Sequence, residues 1–229
     1  MKVALGSAFR NSVSNRQFDR WVTQALSLAW MLRRAGHELM VIMAEGDSND
    51  RTREAIDTFL VEGSVKGMRV DVTHGGPWFG STEHAERFAA LQGVGNGILE
   101  ATMTDVDVLV YVESDLIWEA YEVLSLMERL SASVDVVAPL IFAGSAFYDI
   151  FAYRDLDGVR FGPFAPFHPT LDTQTFMEVS SAGSCLVMKG EVARKCRVDA
   201  TSGLVGFCAD ARQQGFRIWV DSDRTVRHP

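Results

Sequence analysis

From Val3 to Ile141, short apolar runs alternate with stretches whose apolar residues recur every three or four positions. Apolar runs with no alternating polar face read as strands buried on both sides, and helices packed above and below a parallel sheet provide that burial. The predicted strands are Val3–Phe9, Leu39–Met43, Met68–Val72, Val108–Val112 and Val134–Ile141, with Phe18–Leu32, Arg53–Val61, Thr82–Met103 and Tyr121–Leu130 the helices between them. In the first helix Phe18, Trp21, Val22, Ala25, Leu26, Ala29 and Leu32 mark one buried face, and Gly36 is a suitable stop. Gly93, Gly95 and Gly97 weaken the third helix by roughly 1 kcal/mol each relative to alanine. The alternation predicts an α/β fold with a mostly parallel central sheet and helices on both faces.

The pattern changes after Ile141. Residues 142–180 are rich in Phe, Pro, Gly and Asp and contain a predicted hairpin, Ala152–Phe161. A strand at Cys185–Met188, a helix at Leu204–Gln214 and a last strand at Phe216–Val220 follow. Without repeats, low-complexity tracts or a linker, residues 1–229 read as one domain whose second half builds a pocket onto the sheet.

Composition narrows the partners. The chain is 47% apolar and 23% charged, the proportions of a soluble globular protein. Its net charge of −8 argues against a general nucleic-acid coat, which needs clustered Lys and Arg, although a local basic groove remains open. Cys185, Cys196 and Cys208 have no Cys-x-x-Cys spacing and read as reduced thiols of a cytosolic protein. The apolar run Val3-Ala4-Leu5 is too short for a signal peptide, and no window reaches the roughly 20 apolar residues of a membrane helix. The expected setting is therefore cytoplasmic, with no membrane anchor.

Ligands of open α/β sheets bind beyond the carboxyl ends of the strands. Three acidic clusters fall at predicted strand ends: Glu45 with Asp47 and Asp50, Glu113-Ser114-Asp115, and Asp221-Ser222-Asp223. Such ends suit a hard divalent cation, which in turn suits an anionic substrate such as a nucleoside diphosphate. Glu113 and Asp115 are the sharpest signal, because alternate residues of an extended segment point the same way and the VLVYV run before them carries no charge. Two carboxylates at its tip need a cation or donors to compensate them. The rival reading has Asp115 capping a helix that opens near Trp118.

Three segments, in order, resemble the GT-A glycosyltransferases. Ser7-Ala8-Phe9-Arg10-Asn11 is similar to that family's first nucleotide-contacting loop. Glu45-Gly46-Asp47-Ser48-Asn49-Asp50-Arg51-Thr52 is similar to its acidic turn, with Arg51 in place of the usual glycine. Asp107 to Asp115 resembles the strand leading into its Asp-x-Asp motif, with Glu113 as the first acid. Phe147–Asp155 and the ending Gly215–Val220 with Val226-Arg227-His228 further resemble the fungal capsule and cell-wall mannosyltransferase branch. The resemblance implies a single GT-A-like, Rossmann-like domain, with residues 1–115 as the nucleotide-sugar half and 116–229 as the acceptor half. It implies a UDP- or GDP-sugar donor and Mn²⁺ or Mg²⁺. Asp115 would ligate the metal and so would His228, whose rival reading is a frayed surface group, while Glu113 would assist through the ribose or a bound water. Glu45 would accept hydrogen bonds from the nucleobase. Ala8, Arg10, Asp47 and Ser114 would lie along the nucleotide. Arg87 and Asn96 would reach the base or phosphates, or else sit on a solvated helix face.

Breaking a sugar–phosphate bond leaves negative charge on the diphosphate, which a divalent ion stabilises as it grows. An inverting enzyme also needs a carboxylate to take the acceptor proton. Asp210, in an otherwise apolar helical stretch, and Asp149, beside aromatics, are the candidates; helix-dipole compensation and turn formation are their respective rivals. Trp78, Phe79, Trp118, Phe147, Tyr148, Phe164 and Phe167 fall mostly in predicted loops, where they either line an acceptor cleft or fill the core. Gly75-Gly76-Pro77 reads as a turn, and His74 and His84 have no ligand-spaced partner. Two other functions fit the same pattern. A sugar-1-phosphate nucleotidyltransferase would want a glycine-rich basic loop where Ser7–Asn11 stands, and a non-catalytic sugar-nucleotide or glycan-binding module would bind without turnover. A glycan, a protein, a lipid-linked sugar or a modified nucleobase all remain open as acceptor, as does the stereochemical outcome.

Overall fold

The computed structural model describes residues 1–63, 65–73, 84–102 and 105–229. At its centre β1 (Lys2–Phe9) lies between β2 (Glu38–Glu45) and β4 (Val108–Val112), parallel to both, and β3 (Lys66–Asp71) extends the sheet beyond β2. Beyond β4 the order is β8 (Cys185–Lys189), β5 (Val136–Ala143), β9 (Ile218–His228) and β7 (Phe176–Val179), with the two-residue β6 (Ala146–Phe147) folded back on β5. β8 is antiparallel to both β4 and β5, whereas β5 and β9 are parallel. Six strands, β1 to β5 and β9, therefore run one way, as the alternation predicts, and β6, β7 and β8 run against them.

Helices α1 (Phe18–Arg34) and α3 (Ala85–Ala101) occupy opposite faces. The connections β1–α1–β2 and β3–α3–β4 step across the sheet in opposite directions, and right-handed crossovers then place their helices on opposite sides. Helix α4 (Ala120–Arg129) packs against α1, and α5 (Gly190–Lys195) against α3. α2 (Thr52–Glu62) covers β2 and β3, and α6 (Leu204–Gln213) precedes the last strand. The strands supply a core in which Leu5, Ile42, Val110, Val137 and Val187 are fully buried. Above it Phe9, Trp21 and Trp118 meet edge to face, at 5.0 Å and 6.4 Å between ring centroids. Trp118 is thus a core residue and not part of a cleft.

Of the glycines in α3, Gly95 and Gly97 pack closely, whereas Gly93 faces open space. A Cβ on Gly95 would lie 2.7 Å from Val198 Cγ2, so glycine is what lets α3 approach that segment. The expected hairpin at Ala152–Phe161 is present in a loose form, with one bridge between Arg154 and Arg160. Asp155 Oδ1 closes its turn by accepting from the Val159 and Asp157 backbone N–H groups at 2.8 Å and 3.0 Å. All three cysteines are free and buried. Among the described residues no helix is long and apolar enough to cross a membrane.

The last strand departs most from expectation. The predicted strand stops at Val220, yet β9 continues to His228 through a bulge. Its register with β5 jumps from Pro139 opposite Asp221 to Leu140 opposite Thr225, leaving Ser222, Asp223 and Arg224 as extra residues. Asp221-Ser222-Asp223 is consequently no acidic strand end. Asp221 is fully buried inside the sheet, and its Oδ2 accepts from Arg129 Nε at 2.7 Å.

Candidate functional site

The carboxyl ends of β1, β4 and β9 converge with the amino end of β8. Glu113 leaves β4 with its N–H donating to the Ser184 carbonyl at 2.9 Å, so the segment entering β8 holds the end of β4. Two residues past Asp115, Ile117 exchanges backbone hydrogen bonds with Arg227 at 2.7 Å and 2.9 Å. That pairing, reached only because β9 runs on past its bulge, puts His228 Nε2 3.3 Å from Asp115 Oδ2. His228 Nδ1 faces the Pro229 carbonyl oxygen at 3.2 Å. With the proton on Nδ1, the Nε2 lone pair is free to ligate. Tyr148 stacks on the His228 ring at 4.0 Å and 18°.

Asp115 does not cap a helix, because α4 begins only at Ala120 after Glu119. Its Oδ1 is buried with no hydrogen-bond partner among the described residues. A buried carboxylate oxygen left without a donor is costly unless a cation serves it. Glu113 and Asp115 both line one cleft, together with Ala8, Arg10, Arg87, Tyr111 and Ser114. Glu113, Arg87 and Tyr111 also wall a second pocket that runs back to Asp149, Ser184 and the stacked rings of Phe88 and Phe151.

Charge in this region is strongly negative. Burial first, then the Asp115 and Asp149 carboxylates, push the Glu113 carboxyl well above its usual range, against the pull of Arg87. Burial also raises Asp149, which the Ser184 hydroxyl, Arg87 and His228 oppose. Tyr148 is pushed up to about 12 by burial and by the same carboxylates. In all three groups burial is the largest cause, with mutual repulsion of the acids adding to it in Glu113 and Tyr148. Among the described residues no three His, Cys, Asp or Glu side chains surround one point. The two side chains that meet here, Asp115 and His228, with the unserved Asp115 Oδ1, are donors of the kind a hard divalent ion takes, and such an ion would need phosphate oxygens and water for the rest of its shell.

Several expected site residues are engaged elsewhere. Glu45 is 1% exposed, accepting from Arg53 Nε at 3.0 Å and from the Ser48 N–H at 3.2 Å, so it does not offer its carboxylate to a base. Asn96 spends its amide on one backbone: Nδ2 donates to the Val198 carbonyl at 3.0 Å and Oδ1 accepts from the Val198 N–H at 2.9 Å. It braces the segment that Gly95 admits and does not reach phosphates. Asp210 lies in the second turn of α6, and its oxygens accept from the Arg197 N–H at 2.8 Å and Gln214 Nε2 at 3.0 Å. It lines neither pocket and is no candidate base. Arg10 and Asp47 form an ion pair at 3.4 Å at the cleft mouth. Phe147 is buried among Tyr153, Phe161 and Phe167, whereas Phe164 is 72% exposed. His84 immediately precedes α3. His74, Gly75-Gly76-Pro77, Trp78, Phe79 and the Thr82 start of the third helix lie outside the described residues.

Ser184 escapes a sequence reading that expects a parallel sheet, since the amino end of a parallel strand would lie at the opposite edge. The available signal is the small pair Gly183-Ser184 directly before an apolar run.

The family model described as Cryptococcal mannosyltransferase 1 matches residues 2–192. No curated protein matches the chain in sequence. Among solved structures, the mannosyltransferase PcManGT from Pyrobaculum calidifontis, in complex with GDP-Man and Mn²⁺, superposes with a TM-score of 0.64 at 13% identity, covering 98% of this chain and 56% of that one. S. aureus TarS 1-349 in complex with UDP gives 0.54 at 14% identity, covering 99% and 60%. The inositol-1-phosphate CTP transferase from T. maritima gives 0.57 at 10% identity, covering 100% and 88%. At these identities the likeness is one of fold, the GT-A-like fold. The chain spans little more than half the length of the first two structures.

Proposed function

The chain belongs to the Cryptococcal mannosyltransferase 1 family, and from that premise we propose that it is a divalent-metal-dependent glycosyltransferase using a nucleoside-diphosphate sugar, with GDP-mannose the first donor to test. The observation that carries this reading is the Asp115–His228 pair, 3.3 Å apart, with the second Asp115 oxygen buried and unserved. Asp115 and His228 would hold Mn²⁺ or Mg²⁺, and the ion supplies stabilisation of the charge that accumulates on the departing diphosphate. Glu113 would meet the ribose or a bound water. Ala8, Arg10 and Ser114 line the nucleotide cleft, and Asp47 sets the Arg10 guanidinium at its mouth. Arg87, between the two pockets, would offset phosphate charge.

Asp149 is the carboxylate at the reacting carbon. It lies in the pocket that opens from Glu113, away from the nucleotide, against an apolar wall of Phe88 and Phe151. If the acceptor attacks from the face opposite the diphosphate, Asp149 takes the acceptor proton. If it attacks from the same face, the carboxylate stabilises positive character on the anomeric carbon. The anomer of the product distinguishes the two.

The nucleotidyltransferase reading has one supporting observation, the near-complete coverage of the T. maritima CTP transferase. Ser7-Ala8-Phe9-Arg10-Asn11 lacks the glycine-rich loop that such chemistry wants. A panel of GDP- and UDP-sugars with Mn²⁺ separates the readings. Release of GDP or UDP is expected; pyrophosphate release from a nucleoside triphosphate and a sugar phosphate, without donor turnover, would replace this assignment with the rival. Binding of donors with no turnover would instead favour a binding module.

A further inference from the structure

We propose that Ser184 is a positioning residue that holds the Asp149 carboxylate against the end of β4, and so at the reacting carbon; the inference rests on the functional reading above. Ser184 grips two partners at once. Its carbonyl accepts from the Glu113 N–H at 2.9 Å, and its hydroxyl donates to Asp149 Oδ2 at 3.0 Å. One residue thereby sets the spacing between the strand end that leads to Asp115 and the loop that carries Asp149.

The backbone supports this reading. Ser184 has φ 55°, in the left-handed region where glycine is favoured over any residue with a side chain. The conformation alone thus favours glycine, and what serine adds is the hydroxyl. The residue before it closes the space on the same side. A Cβ on Gly183 would come 2.8 Å from Asp149 Oδ2 and 2.7 Å from the Ala152 Cβ, so the 183–184 backbone is packed directly against the carboxylate. A neutral donor in that position favours the charged carboxylate, which burial would otherwise disfavour.

The test compares wild type, Ser184→Gly, Ser184→Thr and Asp149→Asn, measuring GDP release from GDP-mannose with Mn²⁺ and water as acceptor. Ser184→Gly removes the hydroxyl and relaxes the backbone, so it is expected to fold. It should lower kcat about tenfold or more while KM for GDP-mannose stays within about twofold, the signature of lost orientation and not of lost donor binding. Ser184→Thr keeps the hydroxyl and should recover part of kcat despite its backbone strain. Wild-type kcat in Ser184→Gly beside an inactive Asp149→Asn overturns the role of Ser184 alone. Wild-type kcat in Asp149→Asn removes the role of Asp149 on which it depends. A crystal structure of Ser184→Gly decides independently of turnover: an Asp149 carboxylate displaced from residue 184 supports the proposal, and one that has not moved overturns it.

Discussion

Tyr148 lies flat on His228, ring centroids 4.0 Å apart, so the histidine that closes β9 is held from one side by an aromatic plane and meets Asp115 at its edge. Orienting partners of a ligand typically contribute 10- to 100-fold in metal affinity. Tyr148→Ala should therefore weaken Mn²⁺ binding by roughly tenfold, with Tyr148→Phe close to wild type because the stack needs no hydroxyl. Calorimetric titration of both variants measures this.

Asn96 separates a structural from a nucleotide-binding role. Asn96→Ala removes both hydrogen bonds to Val198 and leaves that backbone unpaired, which should cost about 1–3 kcal/mol of stability. Once corrected for the folded fraction, GDP binding should be unchanged. A normal melting curve with weakened GDP binding would return Asn96 to the nucleotide site.

Arg129 compensates a charge inside the sheet. Asp221 is fully buried, whereas Arg129 is 42% exposed. Breaking a buried pair costs about 3–5 kcal/mol, and the exposure of Arg129 places Arg129→Met at or below the lower end. Because the same bulge delivers His228, this variant should also lose Mn²⁺ affinity. Urea denaturation and metal titration read the two effects separately.

Asp199 gives an acid-side signature. Burial alone would raise its carboxyl, but the backbone N–H groups of Thr201 and Ser202 and then their hydroxyls outweigh it and hold the group below its ordinary value. A folded value below the unfolded one, about 3.9, means a contribution fully present above that pH and lost as pH falls through the folded value. Asp199→Asn should thus lower the melting temperature at neutral pH and narrow its difference from wild type toward pH 3. A difference that stays constant with pH contradicts this.

How far the sequence could be read follows from the range of the interactions involved. The α/β alternation and the Val108–Val112 strand with its acidic tip are local patterns, and β4 and the placement of Glu113 and Asp115 on one cleft agree with them. The polar residues answer to longer-range contacts. Glu45, Asn96 and Asp210 have the right chemistry for a site, yet each is satisfied by a partner that only tertiary structure supplies: Arg53, the Val198 backbone and the Arg197 backbone. The bulge in β9 has no periodic signature, so from sequence alone Asp221-Ser222-Asp223 reads as a strand end. The antiparallel direction of β8, which turns Ser184 toward the site, is equally a property of pairing and not of composition.

The most direct test is Mn²⁺ titration in the presence of GDP, by calorimetry, of wild type, Asp115→Asn and His228→Ala. One tight site in wild type, weakened at least about tenfold in each variant while both retain wild-type melting behaviour, is the predicted result. Equal Mn²⁺ affinity in all three proteins would contradict a metal centre at Asp115 and His228.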